Sequence, residues 1–178
     1  MQHKNRLFYA KIMNSLKEID LVLVNETDKC TLYTIQFQNE NESEYERFYN
    51  KFKDEAEYNP DLMRIVAFIN KIAQNGAFER FFRPEGKMSD HVVALPVISS
   101  KLRLYCLRLS DKILILGNGG IKNSRTYNED DALSGYVITL QNFERILKEG
   151  QQKGIVIITE KAIEIKDDDR ETSENVSL

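Results

Sequence analysis

The sequence predicts an α+β fold in which a helical pair packs on a twisted antiparallel sheet. Two observations carry this expectation. Two amphipathic helical stretches come together in the first half of the chain, and three strand-like runs follow with only short turns between them. That order favours an antiparallel meander over alternating βαβ units. The run "ILIL" at 113–116 has no polar alternation, which marks a central strand buried on both faces. The 178 residues read as one domain over 1–166, with a core over about 30–127 and a C-terminal helix over about 130–150. The remainder, 167–178, reads as a disordered acidic tail.

In order along the chain, Phe8, Ile12, Leu16 and Ile19 recur at helical spacing and predict an N-terminal helix over 4–19. "DLVLVNETDKCTLYTIQF" reads as two strands joined by a turn at Glu26–Lys29, with Leu32, Thr34 and Gln36 alternating with Tyr33, Ile35 and Phe37. Ser43 and Glu46 have capping-box spacing, and Tyr45, Phe48, Tyr49, Phe52 and Ala56 make an apolar stripe behind them. Pro60 suits the first turn of a second helix, whose stripe is Leu62, Ile65, Val66, Ile69 and Ile72 and whose C-cap is Gly76.

Strands are expected at about 91–97, 101–109 and 112–117, with Ser110-Asp111 turning the last hairpin. Asn-Gly and Gly-Gly in "LGNGGIKNSRTY" (116–127) supply positive φ values, so this stretch is expected to leave the strand as a glycine turn. Leu133, Tyr136, Val137, Leu140, Phe143 and Leu147 fall in helical register, and "GIVIITEKAIEIK" reads as an edge strand or hairpin arm.

Net charge is −3, but its distribution is uneven. Residues 76–128 carry nine Lys/Arg against four acids, so this stretch is +5 and the rest of the chain is −8. Such asymmetry suits a basic working surface on an acidic body. No run of 18 apolar residues occurs, so no membrane span is expected. The N-terminal stretch is charged throughout and does not read as a signal peptide, which makes the cytoplasm the expected location. Cys30 and Cys106 accordingly read as reduced core residues.

Most enzyme signatures are missing from the sequence. Neither G-x-x-x-x-G-K-[ST] nor G-x-G-x-x-G occurs, there is no G-x-S-x-G elbow, and no Cys-x-x-Cys accompanies the two histidines, His3 and His91. No metal site and no cofactor are expected.

The basic meander is what remains. On strand 101–109, alternation puts Lys101, Arg103 and Tyr105 on one face and Leu102, Leu104 and Cys106 on the other, with Arg108 on that second face near the hairpin. A guanidinium in the middle of a sheet face is costly to bury without an anion. Arg103 therefore either pairs with a carboxylate of the first helices or holds a phosphate through two hydrogen bonds. Lys122, Arg125 and Tyr127 either contact a phosphodiester and its base or form a solvated loop. His91 is either a plain strand-edge residue or a general acid or base.

With these residues in place, "FFRPEGKMSDHVVALPVISSKLRLYCLRLSDKILILGNGGIK" resembles the core of the RelE/HigB superfamily of bacterial toxins. The matching elements are the basic Arg83 and Lys87 before the meander, Arg103 on its middle strand, and Lys122 after its apolar strand. The resemblance spans about residues 30–127 and implies a RelE-like toxin fold, here with an added N-terminal helix and hairpin and a C-terminal helix. It implies a toxin of a toxin–antitoxin module that cleaves messenger RNA, usually on the ribosome, without a metal. On that basis Arg103 stabilises phosphoryl charge, Lys122 or Lys87 positions phosphate, and His91 or Tyr127 serves proton transfer or base stacking. Arg83, Lys87, Lys101 and Arg125 would bind RNA. A cognate antitoxin protein would cover the basic face, and self-assembly stays open. The alternative is a non-catalytic protein-binding or structural module on the same fold; a third reading is an α+β domain without a nucleic-acid role.

Overall fold

The computed structural model describes residues 9–10, 19–85, 91–95, 97, 100–122 and 131–166. Nine strands and three α-helices are described, in the order β1 (Tyr9–Ala10), β2 (Ile19–Glu26), β3 (Thr31–Phe37), α1 (Glu44–Phe52), α2 (Asn59–Asn75), β4 (Arg83–Pro84), β5 (Val92–Ala94), β6 (Leu102–Ser110), β7 (Ile113–Ile121), α3 (Asp131–Gln152), β8 (Val156–Ile158) and β9 (Ile163–Ile165). A short 3-10 turn, Glu79–Phe81, precedes β4. Among the described residues, no helix is long and apolar enough to cross a membrane.

The α+β class holds, but the sheet is mixed rather than antiparallel. Its strand order is β1-β2-β3-β7-β6-β5-β4. β3 and β7 run parallel at its centre, with Thr31 beside Ile113 and Thr34 beside Leu116, while the pairs flanking them are antiparallel. The physical reason is connection length. Between β3 and β7 lie two helices and the first strands of the meander, enough chain for the return crossover that a parallel pair needs. Burial agrees with this interior position: Thr31 to Ile35 are all buried, so the polar alternation in β3 does not mark a solvent face.

Helices cover both faces of the sheet. Phe48 and Phe52 of α1 and Leu62, Ile65, Ile69 and Ile72 of α2 pack on Leu32, Leu102, Leu104, Cys106 and Leu114. On the opposite face Leu133, Val137, Leu140, Phe143 and Leu147 of α3 pack on Tyr33, Ile35, Tyr105, Leu107 and Ile115. The hairpin β8–β9 forms a separate two-stranded sheet against this second core. The helical pair is therefore one of two covering layers, and α3 completes the core rather than decorating it.

Local signals worked where backbone chemistry is explicit. Ser43 Oγ accepts from Glu46 N–H at 3.2 Å and Glu46 Oε2 accepts from Ser43 N–H at 2.8 Å, a complete capping box contributing about 1 kcal/mol to α1. α2 has proline in its first turn and ends at Gly76, whose φ of 107° suits glycine alone among common residues. The N-terminal helix is corrected. Tyr9–Ala10 pair as a strand with Asp20 and Ile19, and Ile19 already belongs to β2; the rest of 4–19 lies outside the described residues. The acidic tail at 167–178 also lies outside them.

The glycine turn is corrected as well. β7 runs straight through "GNGG" to Ile121, and none of Gly117, Gly119 and Gly120 has positive φ. What these positions need is room. A Cβ on Gly119 would lie 1.9 Å from the Arg103 carbonyl oxygen, and one on Gly117 would lie 2.9 Å from Leu140. A β-bulge at this point sets the extra residue of β7 against Tyr105, between the Cys106–Leu116 and Leu104–Gly119 pairs.

Candidate functional site

Alternation along β6 places Tyr105 on the α3 side and Leu102, Leu104 and Cys106 on the α1–α2 side, as the sequence predicts. Arg108 joins the second group: its Nε donates to the Ala77 carbonyl at 2.7 Å and its guanidinium pairs with Asp111. It is a structural residue that ties the hairpin to the end of α2.

At the opposite end of β6, a pocket of about 190 Å³ opens beside the β5–β6 connection. Its polar lining is Arg83, Ser100, Arg103 and Lys122, and its apolar lining is Ala94, Leu95, Val97 and Leu102. Three of the predicted cationic residues thus converge from three strand ends: Arg83 opens β4, Arg103 is the second residue of β6, and Lys122 follows β7. Lys122 is held there by its backbone N–H, which donates to the Lys101 carbonyl at 2.7 Å.

Arg103 is only 6% exposed. Its Nη1 lies 3.3 Å from Oε1 of Glu85, whose side chain is equally buried, and the Arg83 Nε lies 3.9 Å from the same oxygen. Neither Arg103 Nη1 nor Glu85 Oε1 completes a hydrogen bond among the described residues. One carboxylate therefore faces two cations, Arg103 and Arg83, Lys122 adds a third positive charge to the pocket lining, and Arg103 Nη1 completes no hydrogen bond. This arrangement attracts an anion with several acceptor oxygens. It answers the open choice on Arg103 in a mixed way: a carboxylate partner exists, but it comes from beyond β4 and not from the first helices, and it leaves the pocket cationic.

Other predicted residues lie elsewhere. Lys101 is turned toward α2: its Nζ pairs with Glu57 at 2.7 Å and its N–H donates to Asp61 at 2.7 Å. The hydrogen bond and charge of Glu57 raise its pKa. Lys101 does not line the pocket. His91 is separated from it too, because the Arg108 N–H donates to the His91 carbonyl, five residues along β6 from Arg103. At strand rise this is about 17 Å. His91 Nδ1 instead meets Glu144 Oε1 of α3 at 2.5 Å, and Lys148 Nζ reaches the same oxygen at 2.6 Å. Burial pushes the Glu144 carboxyl up, but the hydrogen bonds from Lys148 and His91 outweigh it and hold the pKa below the ordinary value. Lys87, Arg125 and Tyr127 lie outside the described residues.

Sequence reasoning missed Glu85 and Glu144. The signal for Glu85 was present as alternation with Arg83, but a two-residue strand gives no pattern by which to recognise it. Glu144 lies on α3 among the residues facing the sheet, a buried acid that helical register alone would flag. Among the described residues no group of three or more His, Cys, Asp or Glu is placed to hold a metal ion. Comparison of the chain with protein-family models, curated proteins and solved structures gave no significant match.

Proposed function

We propose that the Arg83–Arg103–Lys122 pocket binds a phosphodiester of RNA, and that the chain is a RelE/HigB-like toxin, a metal-independent endoribonuclease of messenger RNA countered by a cognate antitoxin. The observation that carries the reading is the buried Arg103 with an unused donor in a pocket that two further cations line. The sequence resemblance supports it, since Arg83, Arg103 and Lys122 are the positions on which that resemblance rests. In the reaction the ribose 2′-oxygen attacks phosphorus and the 5′-oxygen leaves. Arg103 and Lys122 stabilise the added negative charge on the phosphoryl oxygens, and Arg83 holds the substrate backbone.

A second reading is favoured by two observations: Arg103 already has Glu85, and His91 lies far from the pocket. On this reading the chain is a non-catalytic binding or structural module whose arginine serves the fold.

Induced expression of the chain in a bacterial host, alongside Arg103→Ala and Lys122→Ala, separates the two. Growth arrest with cleaved messages, lost in both folded variants, is the outcome expected for the ribonuclease. Normal growth and intact messages with soluble, folded wild-type protein would overturn it in favour of the module.

A further inference from the structure

Just before β4, the turn at Glu79–Phe81 gathers aromatic rings and cations on the surface. Phe81 meets Phe68 and Phe78 edge to face, with centroids 5.9 and 5.8 Å apart. The Arg80 guanidinium lies over Phe78 and Phe81 at 4.7 and 5.1 Å, and Lys71 Nζ lies over Phe81 at 5.5 Å. The three rings are only partly buried, while both cations are exposed. Neither Arg80 nor Lys71 forms an ion pair with any described residue, in contrast to Lys101 and Arg108. Two residues beyond Phe81 comes Arg83, a wall of the pocket.

We propose that this turn is a stacking platform for an unpaired base of single-stranded RNA, next to the phosphate held in the pocket. The proposal rests on reading that pocket as a phosphodiester site. An exposed guanidinium held over two aromatic rings is placed to stack with a base, and its uncompensated charge suits the adjoining backbone. Phe81 to Arg83 spans at most about 7 Å of chain, a reach suited to a neighbouring nucleotide. A paired base hides both faces inside the duplex, so the platform selects single strands.

The test is binding of the full chain to a fluorescein-labelled single-stranded oligoribonucleotide, scanned with one abasic residue at a time. For the wild type, an abasic residue at one position is expected to weaken binding about tenfold, and Arg80→Ala to weaken the intact oligonucleotide by about the same factor. In Arg80→Ala the abasic scan is then flat. Arg80→Lys, which keeps charge without the plane, is expected to restore salt dependence but not the abasic effect. A flat scan in the wild type, or wild-type affinity in Arg80→Ala, would overturn the platform. If Arg103→Ala and Lys122→Ala still weaken binding in that case, the pocket stands and only the platform falls. Absence of wild-type binding overturns both.

Discussion

Arg103 Nη1 and Glu85 Oε1 face each other at 3.3 Å, both buried, and neither completes a hydrogen bond. Such a pair is costly to break from one side, because the remaining charge stays buried. Glu85→Gln is expected to lower stability by about 3 kcal/mol in urea titration. If the pocket takes phosphate, inorganic phosphate will replace the lost carboxylate and raise Tm more in Glu85→Gln than in the wild type. Equal shifts in the two proteins would argue that Arg103 does not meet the anion.

Lys101 and Lys122 are backbone neighbours whose side chains serve different partners, since Lys122 lines the pocket while Lys101 pairs with Glu57, and salt-dependent RNA binding tests that division. Lys122→Ala is expected to weaken binding and to reduce the slope of log K against log salt by about 1. Lys101→Ala, whose ammonium already serves Glu57, should leave the slope unchanged. A matching loss at Lys101 would place RNA across the α2 side as well.

The glycines of β7 and α3 carry opposite expectations. Gly119→Ala drives a methyl into the Arg103 carbonyl oxygen, with backbone on both sides unable to yield, and a loss of at least about 3 kcal/mol is expected in denaturant titration. A Cβ on Gly135 meets nothing within 4 Å on an exposed helical turn, so Gly135→Ala should stabilise by about 0.5–1 kcal/mol.

Glu144 makes the fold sensitive to acid. Its folded pKa is the lower one, so the unfolded chain takes up the proton first as pH falls. The contribution is full above the ordinary value of 4.5 and is lost as pH drops through the folded value. Tm followed between about pH 6 and pH 3 should show the gap between wild type and Glu144→Gln narrowing toward acid. A constant gap would mean that the Lys148 and His91 contacts do not hold the carboxylate.

Burial pushes the Cys30 thiol up to about 11 and raises that of Cys106 further still. Thiolate is the reactive form, so both cysteines should resist alkylation at about pH 8 in the folded protein and react on unfolding. Rapid labelling of either under native conditions would reveal an opening of the α1–α2 core.

The parts of this fold legible in the sequence are those where side-chain chemistry and backbone need coincide locally: the Ser43–Glu46 box, Pro60, Gly76 and the register of Leu133 to Leu147. The rest depends on what lies across the sheet. Thr34 is polar yet buried, because α1 covers that face of β3 and the Tyr45 N–H donates to the Thr34 hydroxyl at 3.3 Å. Gly119 looks like a turn former by composition and is a spacer by location, and only the Arg103 backbone opposite shows which. The candidate site divides in the same way. Arg83, Arg103 and Lys122 were brought together by the resemblance and by charge, whereas Lys101, which alternation grouped with Arg103, and His91 are held by Glu57 and Glu144, partners distant in sequence.

The parallel seam between β3 and β7 also sets a timetable. As the chain emerges during synthesis, the β2–β3 hairpin and the helical pair appear first, but the inner edge of β3 has no neighbour until Ile113 to Leu116 have been made. Until then β3 waits with the backbone donors and acceptors of that edge open, and closing the long intervening loop is the slow, entropically opposed event. The most interior part of the finished molecule is therefore the part that stays longest exposed to its surroundings at birth.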